Sequence, residues 1–161
     1  MLYILKCSSS ILTATLQGRP IMTGDFLELQ KNRPALFHEP QRQLPPEILP
    51  AYPRDWVIHV LPGPHDDEEF VTKEGIAKFY STRWLVSPSS NRMGIRLEAS
   101  EKIQWSRPDG GEGGAHPSNI LDNGYTIGSV NINGDTPVLL TNEGPDMGGY
   151  VCLCTVATGE L

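Results

Sequence analysis

Apolar positions along this chain fall into short runs cut by glycine and proline, with no long helical stripe. The strongest run is Trp56-Val57-Ile58-His59-Val60-Leu61, β-branched and aromatic residues interrupted only by His59 and stopped by Pro62-Gly63-Pro64. It predicts a strand. Behind the stop, Asp66 or Asp67 can cap a helix that reaches about Tyr80, with Glu68 and Glu69 in the first turn, where the helix dipole favours anions. Phe70, Ala77 and Tyr80 would share its buried face. Shorter runs at 84–87, 95–98, 102–106, 126–132, 137–141 and 150–157 read as strands with turn chemistry between them. Asn133-Gly134-Asp135 and Asn142-Glu143-Gly144-Pro145 are hairpin signals, so the C-terminal third reads as an antiparallel meander. About six to eight short strands and one short helix near 67–80 predict a mainly β fold, a small closed or partly open barrel.

Upstream the pattern weakens. Residues 17–29 read as a turn and a short extended edge piece. Residues 31–53 carry Pro34, Pro40, Pro45, Pro46, Pro50 and Pro53, which remove backbone donors and bar both helix and central strand. The expected organisation is a separate segment over 1–16, an edge segment and Pro-rich linker over 17–55, and the β module over 56–161. The apolar start is broken by Lys6 and Ser8-Ser9-Ser10, so no signal peptide is expected. No stretch approaches the ~18 apolar residues that a membrane span needs.

A length of 161 residues fits about one domain. The 16 glycines and 14 prolines favour strands and turns over long helices. A net charge of -6 argues against a nucleic-acid partner, which would require clustered Lys and Arg. Cys7, Cys152 and Cys154 have no metal-ligand spacing, and a reducing, cytoplasmic setting suits them. Cys152 and Cys154, two apart on one strand, read as small buried apolar groups.

Four segments could carry chemistry. The run His65-Asp66-Asp67-Glu68-Glu69 reads as a helix start and not as a metal site, because adjacent residues entering a helix fan outward. Ser87-Pro88-Ser89-Ser90-Asn91-Arg92-Met93-Gly94-Ile95-Arg96-Leu97 brings Asn91 and two arginines through a turn into a strand. Arg92 and Arg96 could hold a carboxylate or bridge to acidic surface groups. In Arg107-Pro108-Asp109-Gly110-Gly111-Glu112-Gly113-Gly114-Ala115-His116-Pro117-Ser118-Asn119-Ile120, the glycines permit close approach of a ligand, or simply form a surface loop. Glu112, His116 and Asn119 add an acceptor, a proton carrier and an amide. Asn142-Glu143-Gly144-Pro145-Asp146-Met147-Gly148-Gly149-Tyr150 reads as a hairpin whose Asp146 and Tyr150 could line a pocket.

Taken in order, residues 91–97, 110–120, Gly128-Ser129-Val130-Asn131-Ile132-Asn133-Gly134-Asp135-Thr136-Pro137-Val138 and 146–150 resemble the second-subunit family of allophanate hydrolase. That family includes the oxoprolinase C subunit and the carboxyltransferase domain of urea carboxylase. Gly110-Gly111-Glu112-Gly113-Gly114-Ala115-His116-Pro117-Ser118-Asn119 is most similar to the urea carboxylase branch, the fungal urea amidolyases in particular. The resemblance runs from about residue 17 to residue 157, and residues 1–16 are expected to lie outside it as an unmatched segment.

The resemblance implies a cyclophilin-like β-barrel and transfer of a carboxyl group from carboxybiotin to urea, giving allophanate. It implies that Asn119 orients urea with His116 or Glu112 beside it, and that Arg92 or Arg96 faces carboxylate charge. Gly148, Gly149 and Tyr150 would shape the biotin-facing wall. Biotin would be carried on another domain or chain, since no Met-Lys-Met attachment tripeptide occurs here. The implied partners are urea, the remaining halves of the carboxyltransferase domain, and biotin carboxylase and biotin carrier domains. Full domains of the family extend beyond both ends of this chain, so it is expected to be incomplete and silent alone. The alternatives are an oxoprolinase-type subunit and a non-catalytic binding or regulatory remnant.

Overall fold

A run of β-branched residues forms one strand only if a single neighbour serves its whole length, and residues 56–61 do not meet that condition. In a computed structural model, which describes residues 2–5, 15–16, 19–20, 22–25, 44–49 and 52–159, the run is divided at His59. Strand β4 (Asp55–Ile58) pairs antiparallel with β1 (Leu2–Leu5), whereas β5 (Val60–Pro62) pairs with β12 (Cys152–Val156). The His59 carbonyl accepts the Ala157 N–H at the break. These two strands stand at opposite ends of an eight-stranded sheet of order β4, β1, β6 (Arg83–Val86), β7 (Gly94–Glu98), β10 (Thr136–Leu140), β9 (Ser129–Asn133), β12, β5. One residue separates its first and last members, so the sheet curls until its ends meet at that corner. The fold is mainly β, as the strand count leads one to expect, and cyclophilin-like, as the resemblance implies.

The chain divides into two units, residues 1–11 with 54–161 and residues 12–53. In the smaller, β2 (Thr15–Leu16) and β3 (Arg19–Pro20) form a hairpin, and Pro46–Ile48 is a single 3-10 turn. Residues 26–29, most of the proline-rich stretch and Cys7 lie outside the described residues.

The helix exists, later than its acidic start suggests. α1 (Lys73–Ser81) is capped by Thr72, whose hydroxyl accepts the Gly75 N–H at 3.0 Å. Asp66 and Asp67 are not caps. Asp67 instead closes a tight turn, its carboxylate taking the Glu69 N–H and its carbonyl the N–H groups of Phe70 and Val71. The chain is next tied to 104–105 by the Val71–Trp105 bridge and by Thr72 N–H to the Gln104 carbonyl, so helical geometry begins only afterwards. The expected strand over 102–106 is reduced to that bridge. Gly75 and Phe79 form the buried side of α1, Ile76 and Tyr80 are half-buried, and Ala77 is exposed.

Strand alternation sets the two faces of the sheet. On β6 (Arg83–Val86), β7 (Gly94–Glu98), β9 (Ser129–Asn133) and β10 (Thr136–Leu140), the residues Trp84, Leu97, Val130, Ile132 and Leu139 enter the main core with Phe79 and Leu153. Arg96, Asn131, Asn133 and Val138 alternate with them and face the other way. The β9–β10 hairpin turns at Gly134, whose φ of 66° is left-handed.

Beyond it the expected meander fails. β11 (Met147–Tyr150) leaves the sheet to pair with β8 (Asn119–Gly124), a strand hidden behind the glycine-rich loop, and β12 enters between β9 and β5. Fully buried Val151 manages the transfer, donating its N–H to Ser118 and accepting that of Ile132. Cys152 and Cys154 are buried free thiols, and burial pushes both pKa values up.

His65 joins β12 to the start of the helical region. Its Nδ1 accepts the Cys152 N–H at 3.0 Å and its ring meets Phe70 edge-on. Burial lowers its pKa from the ordinary 6.5. An unfolded histidine therefore takes up a proton before the folded one does, and stability is lost as pH falls from about 6.5 toward the lower folded value. His65→Asn keeps an acceptor without that titration. Its unfolding temperature is expected to fall less than the wild type's between about pH 7 and pH 5, measured by circular dichroism.

Among the described residues, no helix is long and apolar enough to cross a membrane.

Candidate functional site

The polar face of the sheet floors a cleft of about 290 Å³. Arg96 on β7 stands opposite Val138 on β10, which stands opposite Asn131 on β9, so a guanidinium and an amide lie on one cross-strand row with a valine between them. Asn133 follows Asn131 on the same face, and Leu140 follows Val138. Tyr125, Pro145, Met147, Gly148 and Tyr150 form the facing wall, with Asn91 and Met93 at the rim. The Asn91 side chain accepts the N–H groups of Met93 and Gly94, turning the chain into β7. At Gly94 a Cβ would lie 2.7 Å from Val138, so a side chain there would close the floor.

Tyr125 braces the wall. Its hydroxyl accepts the Tyr150 N–H at 2.8 Å and donates to the Tyr150 carbonyl at 2.7 Å, with the Gly148 carbonyl at 3.0 Å. Burial raises its pKa, which keeps the phenol neutral as a donor. Gly148 is pressed against it, with room for a Cβ only 3.0 Å from the ring.

Of the residues expected from sequence, Asn91, Arg96, Gly148 and Tyr150 meet in this cleft. Arg92 does not line it. It pairs at 3.3 Å with Glu143 on the exposed turn, an ion pair of small energetic weight in solvent. Asp146 is exposed outside the lining, and only its carbonyl is engaged, accepting the Tyr125 N–H at 2.7 Å. Gly149 faces β8, where a Cβ would sit 2.9 Å from the Ile120 carbonyl oxygen. Tyr125, Asn131 and Asn133 were not singled out from sequence. Their signal was the alternation Val130-Asn131-Ile132-Asn133, two amides sharing one face of a strand otherwise fit for a core.

Glu112, His116 and Asn119 belong to a different construction beside the cleft. Gly110 and Gly113 accommodate the protein's own backbone, since a Cβ on Gly110 would lie 2.6 Å from the Asn119 carbonyl oxygen and on Gly113 2.5 Å from the Ile120 carbonyl carbon, while a Cβ on Gly114 would lie 2.5 Å from the Asn119 side-chain Nδ2. Glu112 is exposed on the 3-10 turn Gly111–Gly113. His116 Nδ1 accepts the Ser118 N–H at 3.1 Å, which puts its own hydrogen on Nε2, and lies 2.9 Å from the Ser118 hydroxyl. Arg107 fastens the loop, donating twice to the Pro117 carbonyl and once to that of Asn119 while lying over the Phe70 ring. Asn119 stands opposite Tyr150 in the β8–β11 ribbon, next to the cleft wall without lining it. Among the described residues no three His, Cys, Asp or Glu side chains converge as a metal site.

A curled sheet with a small polar cleft on one face and a hydrophobic core on the other defines a cyclophilin-like module able to hold a small polar molecule. Residues 3–161 match the model of the carboxyltransferase domain, subdomain A and B, and the chain belongs to that family. It is 41% identical over 148 residues to the urea amidolyase of Saccharomyces cerevisiae and 41% over 152 residues to that of Lachancea kluyveri, covering 89% of this chain in each case. A crystal structure of the Kluyveromyces lactis urea carboxylase superposes with a TM-score of 0.62 and 45% identity, covering 64% of this chain and 9% of that one. The chain spans between 8% and 11% of the lengths of the curated relatives it matches.

Proposed function

We propose that the chain is a segment of the carboxyltransferase domain of a biotin-dependent urea carboxylase, which carboxylates urea to allophanate. The observation that carries this reading is the Arg96 guanidinium, without an ion pair among the described residues, facing amides and a tyrosine in a cleft of a carboxyltransferase-family sheet. Urea is neutral and a weak nucleophile. A site for it must orient its amides, accept a proton and stabilise charge on the carboxylate being transferred.

The donor set fits biotin's ureido head and its carboxylated form. Arg96 offers a fork for a carboxylate, and Asn91 and Asn133 offer amides. Val138 and Leu140 give an apolar floor, with the exposed side chains of Met93 and Met147 at the edges. Biotin, carried on another domain, supplies the activated carboxyl group when bound. Gly148 and Tyr150 shape the wall toward it, and Arg92 and Asp146 serve the outer rim. Asn119, with His116 and Glu112, orients urea from the loop beside Tyr150. In this reading residues 55–161, with β1 from residues 2–5 paired into their sheet, form the module, working in the cytoplasm with the rest of the domain and with biotin carboxylase and carrier domains.

Asn119→Ala in the intact enzyme is expected to lower kcat/KM for urea about tenfold, the loss of one well-placed hydrogen bond, and to leave biotin carboxylation unchanged. Unchanged urea kinetics would remove Asn119 from the site. The purified chain is expected to show no urea-dependent ATP turnover, and robust turnover with added free biotin would contradict that.

A further inference from the structure

His116 is half-buried in the glycine-rich segment, and its two ring nitrogens have different surroundings. Nδ1 accepts the backbone N–H of Ser118 at 3.1 Å and lies 2.9 Å from the Ser118 hydroxyl. A backbone N–H can only donate, and turning the ring over would set a C–H against it. Nδ1 is therefore the acceptor and Nε2 carries the hydrogen. Among the described residues, the buried side-chain nitrogens and oxygens without a partner are Asp66 Oδ1 and Asn131 Oδ1. Nε2 makes no hydrogen bond among the described residues and is not one of these, so it reaches solvent.

Two contacts hold the ring, and one turn supports both. Gly134, at the tip of the β9–β10 hairpin, donates its N–H at 3.1 Å to the hydroxyl of Ser118, which is fully buried. Its neighbour Asp135 accepts the Trp105 indole N–H at 3.1 Å through one carboxylate oxygen and has Lys102 3.9 Å from the other. The Trp105 ring in turn meets the imidazole edge-on, with 5.9 Å between centroids. Asn119 is tied to the same hydroxyl through its Oδ1 at 3.4 Å. A donor fixed in this way before its ligand arrives costs no reorganisation on binding, which is how a site holds an oxygen that gains charge.

We propose that His116 is a fixed hydrogen-bond donor, its Nε2–H given to the carbonyl oxygen of urea, and not the base that removes the urea proton, with Ser118 as its positioning residue. This rests on the proposed function and adds to it the direction in which His116 acts. As a base, Nε2 would need a free lone pair, and the hydrogen already there occupies it. Moving that hydrogen to Nδ1 would point it at the Ser118 N–H, donor against donor.

The tautomer is read in the full chain labelled with 15N-histidine, from long-range 1H–15N spectra above the range in which imidazoles titrate, with His116→Gln locating the His116 signals. The hydrogen is expected on Nε2. In the intact enzyme, His116→Ala is expected to lower kcat/KM for urea about tenfold. His116→Gln keeps an N–H near the Nε2 position and cannot act as a base, and it is expected to recover most of that loss. A base role predicts instead that glutamine is as poor as alanine, since neither takes a proton. A hydrogen on Nδ1, glutamine no better than alanine, or wild-type kinetics in both variants would each overturn the role of His116 and leave the assignment to urea carboxylation standing. An intact enzyme that does not carboxylate urea would overturn both.

Discussion

Trp84→Ala is expected to lower stability by about 3–5 kcal/mol, a large share of the usual margin of about 5–15 kcal/mol. Trp84 is 2% exposed, and its ring lies 5.4 Å from Phe79 at the end of α1. Its indole N–H donates to the Phe79 carbonyl at 3.1 Å. Truncation would open a cavity between helix and sheet and take away a partner of that buried carbonyl. Trp84→Phe keeps most of the apolar bulk and loses the indole bond, so it should cost about 1–2 kcal/mol. Thermal unfolding followed by circular dichroism separates the two variants. Equal losses would mean that the hydrogen bond and not the volume dominates.

Gly113→Ala comes next, at about 3 kcal/mol, the upper end of the range for overpacking, since the added methyl would lie 2.5 Å from the Ile120 carbonyl carbon. Backbone cannot swing aside as a side chain does, and β8 is held there by its pairing with β11. Gly111, two residues earlier, has open space around it and a φ of 57°, so Gly111→Ala should cost only about 1 kcal/mol of conformational strain. A melting temperature lowered by about 6–12 °C for the first and only about 2–4 °C for the second is the expected pattern. Similar small shifts would mean that the loop stands off β8.

These two variants also mark what the sequence could reveal. The main core was legible because the apolar positions of β7, β9 and β10 alternate, and the β9–β10 hairpin was legible because Asn133-Gly134-Asp135 allows only a few turn geometries. The split of residues 56–61 was not, since nothing local says that Ile58 and Val60 find partners at opposite ends of a curled sheet. The cap shifted from Asp66 or Asp67 to Thr72 because a tertiary bridge, Val71 to Trp105, delays the helix. Strand β8 was masked by the glycines before it, whose role of seating the loop against its backbone appears only in three dimensions.

The candidate site divides along the same line. Asn91, Arg96, Gly148 and Tyr150 could be named from turn and strand chemistry, and the structure gathers them. Glu112, His116 and Asn119 stood out through composition and are absent from the cleft lining, Glu112 exposed on its turn and only His116 and Asn119 joined, through the Ser118 hydroxyl. Asn131 and Tyr125 are invisible as chemistry until burial shows one with an unpaired oxygen and the other bracing the wall.

The most direct measurement is the melting temperature of the full chain with millimolar urea, allophanate and oxoproline, because a ligand that binds only the folded state raises it. Urea and allophanate are expected to raise it and oxoproline to leave it unchanged. A rise with oxoproline alone would point to an oxoprolinase-type subunit, and no rise with any of the three would contradict the assignment of this cleft to urea carboxylation.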